Sequence, residues 1–127
     1  MRLSRFFRRI FIFSYGGLIA IVRYDEGSGR FVGIRDWDEN TQLRAMRVVA
    51  GLMRVSESGR RFVVTNSHIA VFGRNYILLS DIADKKYIPK AIRLLGELLD
   101  RIDVLLENVD DVLEEVMCFL REKEKRL

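Results

Sequence analysis

Residues Ile10 to Val22 are almost wholly apolar, with Gly16-Gly17 at their centre. A Gly-Gly pair between two β-rich runs marks a two-residue hairpin turn, because both glycines take φ > 0 without strain. The pattern predicts paired antiparallel strands over 8–15 and 18–24. On the first strand Ile10 and Ile12 fall on one face and Phe11, Phe13 and Tyr15 on the other. A strand apolar on both faces belongs in the middle of a sheet with helices above and below it. The apolar stretch from Ile10 to Val22 is about 13 residues long, short of the roughly 20 that a bilayer-spanning helix needs. No small-x-small cleavage site follows it, so it does not read as a signal peptide.

Beyond this hairpin the period changes. Residues 25–29 read as a turn, and 30–34 as a short strand or part of a loop. Asp36 to Thr41 is rich in side chains that cap helix N-termini, and a helix is expected over 41–56. Leu43, Met46, Val49, Ala50 and Met53 recur there at helical spacing, with Arg44, Arg47 and Arg54 on the other side. Ser58-Gly59 is expected to end it. Residues 62–67, 68–73 and 76–82 read as three short strands, with turns at Asn66-Ser67 and Arg74-Asn75. Pro89 suits the first turn of a last helix, where its missing N–H costs nothing. From Ile88 to Leu120 the apolar residues step by four and three in an unbroken seam, and Ala91, Leu98, Leu105, Val112 and Phe119 widen it. A continuous helix over 88–126 would be about 58 Å long at 1.5 Å per residue, against a radius of gyration of roughly 14 Å for a domain of this size. Either the helix breaks near Glu107-Asn108, with Asn108 capping a second helix, or its far half packs on another chain. Taken together the elements predict an α/β (α+β) fold: a mostly antiparallel five-stranded sheet with helices on both faces, in ββαβββα order. They form one domain over 1–127, with 107–127 as a C-terminal helical extension.

Composition narrows the setting. The chain has 127 residues, 49% of them apolar and 31% charged, the profile of one globular domain. A single cysteine, Cys118, excludes an internal disulfide and favours a reducing, cytoplasmic compartment. The 17 arginines against 5 lysines, with a single Gln, lean towards a thermophile, although Lys and Glu enrichment is the usual signal. Charge is unevenly placed: residues 1–90 carry 16 basic against 8 acidic side chains, and residues 91–120 carry 2 against 8. The two parts compensate each other, within the monomer or across a dimer.

The opening hairpin RIFIFSYGGLIAIVRY, the inserted helix NTQLRAMRVVAGLMRV, and FVVTNSHIAVFGRNYILLSDI leading into IPKAIRLLGELLDRI follow one another in an order that resembles the longin and roadblock (dynein light chain) superfold. The likeness covers about residues 8–106 and rests on element order, with no chemical motif. It implies a non-catalytic platform that forms homodimers or heterodimers and binds a small GTPase or a trafficking adaptor. The chain departs from both patterns. Residues 1–7 are too short for the helix that opens a roadblock domain. The wholly apolar seam over 88–120 lacks the polar layer of a longin coiled coil.

Candidate chemistry is sparse. His68 follows Ser67, but neighbours on a strand point to opposite faces and no orienting acid is evident, so a polar turn or strand edge is the expected reading. Cys118 reads as a small buried apolar residue. Neither Gly16-Gly17 nor Gly27-Ser28-Gly29 has phosphate-loop spacing. One histidine and one cysteine make no zinc site of the usual kind, and no catalytic residue, metal ligand or cofactor is expected. The expected partner-binding residues are Val109, Val112, Leu113, Val116, Phe119 and Leu120, the part of the seam beyond the sheet, since a large exposed apolar stripe must be covered by something. To these Arg44, Arg47 and Arg54 add a basic helix face for an acidic partner. A basic body leaves nucleic acid open as an alternative, without a recognition motif, as it does a small-molecule sensor of PAS or profilin type. Residues 1–9, with four arginines beside Phe6 and Phe7, form a short segment that could touch a membrane surface; a frayed terminus or an earlier start to the first strand is the plainer account.

Overall fold

A six-residue strand at the centre of the sheet sends alternate side chains into two different layers, and this alternation organises the molecule. The computed structural model describes residues 2–56, 61–105 and 108–126. Six strands form one sheet: β1 (Arg9–Ser14), β2 (Gly17–Asp25), β3 (Arg30–Ile34), β4 (Phe62–Val64), β5 (His68–Phe72) and β6 (Tyr76–Asp81). Their spatial order is β3-β2-β1-β6-β5-β4, with every neighbouring pair antiparallel. The helices are α1 (Glu39–Ser56), α2 (Ile88–Ile102) and α3 (Val109–Arg126). Helix α1 lies on one face of the sheet, and α2 and α3 on the other.

In β1, Ile10 and Ile12 enter the core beneath α2 and α3, while Phe11 and Phe13 enter the core beneath α1. The central position expected of a doubly apolar strand is therefore observed, between β2 and β6. The hairpin differs in detail. Ser14 pairs with Gly17, which makes Tyr15-Gly16 the turn, and of the two glycines only Gly17 has positive φ, at +141°. The register then slips between Ile12 and Phe13, so that Phe13 faces Leu18 and Ile12 faces Ala20. This bulge lets Leu18 and Ala20, two residues apart, point into opposite cores, which a regular strand forbids.

The sheet has six strands where five were expected, because residues 30–34 pair with β2 along their full length. The order is accordingly βββαβββαα. Six strands about 4.8 Å apart make a sheet roughly 24 Å wide. Helix α1 connects the two outermost strands, β3 and β4, and its 18 residues span about 27 Å, the length needed to cross the whole width. On the opposite face one helix, about 10–12 Å in diameter, is too narrow. Helix α2 lies over β5 and β6, and α3 over β2 and β3.

The long apolar seam is thus two helices. Helix α2 ends at Ile102, and Asn108 caps α3, its Oδ1 accepting from the Asp111 N–H at 3.1 Å. Helix α3 is part of the core and not an extension of it: Val112, Val116, Phe119 and Leu120 are buried with the sheet residues. Where α3 crosses β3 the contact is close, since a Cβ on Gly33 would stand 2.8 Å from Leu113 Cδ2. Charged side chains join the two helices along their outer edge. Arg101 bonds Glu115 and Glu122 at 2.9 and 2.8 Å, and Lys123 pairs with Glu97 at 2.8 Å. Arg101 and Lys123 both lie over the ring of the buried Phe119.

The fold-back begins at Asp103. Its carboxylate accepts from the backbone N–H groups of Arg74 and Asn75, both at 2.7 Å, and of Tyr76 at 3.2 Å, while its own carbonyl accepts from Asn75 Nδ2 at 2.6 Å. Tyr76 Oη then donates to the Leu105 carbonyl at 2.6 Å. The β5–β6 turn is in effect bonded to the end of α2. At the other end of β6, Asp81 Oδ1 accepts from Arg8 and Arg9 N–H, both at 2.8 Å, and fixes the start of β1.

Removing the Asp103 carboxylate strands three N–H donors that a charged acceptor now satisfies. Asp103→Ala should lower the unfolding free energy by about 3 kcal/mol in urea titration, with Asp103→Asn losing less. Ser80 is wholly buried, and its hydroxyl has no hydrogen-bond partner. Ser80→Ala should therefore raise stability by about 1 kcal/mol in the same measurement.

Candidate functional site

Helix α1 starts where Asp38 Oδ1 accepts from the Thr41 N–H at 2.8 Å, the capping expected of this polar run. Its buried side chains are Ala45, Val49 and Leu52. The stripe expected from spacing, Leu43, Met46, Val49, Ala50 and Met53, is rotated: Val49 stays inward, but Leu43, Met46 and Ala50 are exposed. The rotation has a physical origin. As a strap across the sheet, α1 brings its small Ala45 to the strands, and its larger apolar groups splay to the flanks. Arg44, Arg47 and Arg54 face solvent, as expected, and none of them closes a salt bridge among the described residues. The expected stop at Ser58-Gly59 lies outside the described residues.

Strand β4, at the sheet edge beside α1, pairs only with β5. Its register sets Val63 opposite Ala70, on the α1 side, and Phe62 and Val64 opposite Val71 and Ile69, on the α2 side. Because α2 lies over β5 and β6, Phe62 and Val64 are left 45% and 36% exposed. Of the seven exposed large apolar residues among those described, Leu43, Met46 and Val55 lie on α1 and Phe62 and Val64 on β4. Along the middle of α1, Met46, Val49, Ala50 and Met53 face the β1–β2 turn across a cleft of about 170 Å³. Edge strands commonly carry a charge, a proline or a bulge that deters pairing. Phe62-Val63-Val64 carries no charge and no proline. The nearest charge, Arg61, is turned away to the Asp100 carboxylate and the Gly96 carbonyl of α2.

The apolar residues expected to meet a partner are placed otherwise. Val112, Val116, Phe119 and Leu120 are buried within the chain, and Val109 and Leu113 are half-buried against the same core. They offer no exposed stripe, because the sixth strand widens the sheet enough to need a second helix over it. Of the segment 1–9, the described residues 2–9 are likewise docked. Leu3, Phe6 and Phe7 are buried; Leu3 N–H donates to Glu124 at 2.9 Å, and Phe6 packs edge-on against Tyr87. The apolar groups that a membrane contact needs are inside the protein, and the start of the described chain is not frayed. The edge β4 was hidden from sequence reading because an edge strand and an inner strand share one alternating pattern.

The structure brings Ser67 and His68 into contact, contrary to the opposite-face expectation. Ser67 lies in the bend before β5, and its Oγ is 2.8 Å from His68 Nδ1. His68 stands across from Asp81 in the β5–β6 register, but the Asp81 hydrogen bonds described run to the Arg8 and Arg9 N–H groups. Cys118 is half-buried and free of disulfides, and no group of three or more metal-ligating side chains occurs among the described residues. No described helix is long and apolar enough to cross a membrane. Compared with protein-family models, curated proteins and solved structures, the chain matches none of them.

Burial holds the His68 pKa below the ordinary 6.5, with Asp81 opposing and Arg9 adding to the shift. A histidine whose folded value is depressed takes up protons more readily when unfolded, so its contribution is present above 6.5 and lost as pH falls through the folded value. Unfolding midpoints measured between pH 7 and 5 should fall on the acid side, and His68→Gln should flatten that fall.

Proposed function

We propose that this protein is a non-catalytic interaction scaffold of longin and roadblock type that pairs with a second copy of itself along β4 and α1. The observation that carries the reading is the apolar edge strand β4, short at three residues and paired among the described residues only with β5, next to the helix that holds most of the remaining exposed large apolar residues. An antiparallel strand edge is self-complementary about a two-fold axis, so two copies of β4 would extend the sheet across both subunits and cover Phe62, Val64 and Val55. The partner that the resemblance implies, a small GTPase or an adaptor, would present an acidic patch to Arg44, Arg47 and Arg54 on the outer face of α1, where charge steers association. The Ser67–His68 contact does not compete with this reading, because the acid across from it, Asp81, accepts from the Arg8 and Arg9 N–H groups. The lone Cys118 accords with a cytoplasmic setting.

Size-exclusion chromatography with light scattering at micromolar concentration should return about twice the 14.9 kDa of one chain. Phe62→Lys with Val64→Lys should raise the dimer dissociation constant by about a hundredfold or more while leaving the circular dichroism of the monomer unchanged. A wild-type chain that stays monomeric at tens of micromolar refutes the pairing.

A further inference from the structure

At the opposite edge of the sheet from β4, between β3 and the last turns of α3, lies a groove of about 560 Å³. This is within the roughly 300–1,000 Å³ typical of small-molecule sites. Its apolar wall is formed by Phe31, on the α3 side of β3, with Met117 and Leu120 of α3, and its rim carries Arg30, Arg121, Lys125 and Glu124. The rim is imbalanced. Glu124 accepts from the Leu3 N–H, and none of the three cations closes a salt bridge among the described residues. Arg121 and Lys125 stand four apart on one helix, a like-charged pairing that is destabilising when nothing lies between the charges. The other side of α3 is the reverse: Glu115, Glu122 and Lys123 all pair with α2. Two of the helix's cations that close no salt bridge, Arg121 and Lys125, thus stand where the apolar groove opens.

We infer that this groove binds a single-chain amphiphile with an anionic head, a carboxylate or a phosphate monoester, its tail along Phe31, Met117 and Leu120 and its head among Arg30, Arg121 and Lys125. The three cations match an anion, and the concave apolar wall matches one aliphatic chain. The occupant is a free amphiphile and not a bilayer surface, because among the described residues no exposed large apolar side chain borders the groove to enter a membrane. An added peptide strand is a poorer match, because the groove follows only residues 28–32 of that edge.

Isothermal titration of the full chain with dodecyl phosphate, kept below its micellar concentration, tests this. Binding should saturate at one molecule per chain. It should be about tenfold or more weaker for dodecyltrimethylammonium, which shares the tail, and equally weakened for inorganic phosphate, which carries the head alone. Arg121→Glu with Lys125→Glu, both exposed, should cost dodecyl phosphate about tenfold or more. As an independent readout, dodecyl phosphate should shift the methyl resonances of Met117 and Leu120 and leave those of Leu43 and Met46 in place. Equal affinity for the cationic and anionic amphiphiles overturns the inference, as do unchanged affinity in the double variant and shifts confined to α1. Sedimentation with phosphatidylglycerol vesicles in the absence of monomer binding would transfer the site to membranes and overturn it too.

Discussion

A sheet six strands wide cannot be covered by one helix, and most of this structure follows from that mismatch of widths. On one face the chain solves it by folding back, so that α2 and α3 lie side by side. The reversal is held where it begins, at Asp103, whose carboxylate binds three successive backbone N–H groups of the β5–β6 turn. Charge-assisted bonds of this kind are about twice as strong as neutral ones, and Gly73 leaves room for the contact: a Cβ there would come within 2.8 Å of the same carboxylate. A side chain at the end of one element thereby sets the geometry of a turn between two others.

The opposite face meets the same width with a single diagonal strap. Helix α1 has the length to reach from β3 to β4 but not the breadth to cover what lies between, and it buries only three side chains. The two faces are therefore unequal. One is doubly layered and sealed by the 2–7 segment; the other leaves apolar groups at its flanks and β4 open at the margin. Pairing through that margin offsets the exposure that the strap leaves behind.

Charge follows the same division. The acidic helices and the basic body meet within one chain, through Arg61 with Asp100 and Arg35 with Asp110. Both pairs are largely exposed, and such pairs contribute only about 0–1 kcal/mol; they orient the layers more than they hold them. Cations that close no salt bridge among the described residues include Arg44, Arg47 and Arg54 on the outer face of α1 and Arg30, Arg121 and Lys125 around the groove beside β3. An acidic or anionic partner adds most where such cations stand together.

Much of this was legible in the chain itself. Alternation in β1 announced a central strand, Gly-Gly a hairpin, Asp36–Thr41 a helix start, Pro89 another, and the length of the apolar seam against the size of the domain a break closed by Asn108. These are local properties, set by backbone sterics and by side-chain periodicity within a few residues. The sequence by itself therefore determined the kinds of element, most of their limits and the α+β class. What it left open depends on which surfaces meet. Whether residues 30–34 joined the sheet decided its width, and its width decided that Val112, Val116, Phe119 and Leu120 turn inward. The tilt of α1 decided that Leu43 and Met46 turn outward, and a one-residue bulge at Ile19 decided where Leu18 points. Such choices are made by residues far apart in the chain competing for the same buried area, and only the assembled tertiary structure resolves them.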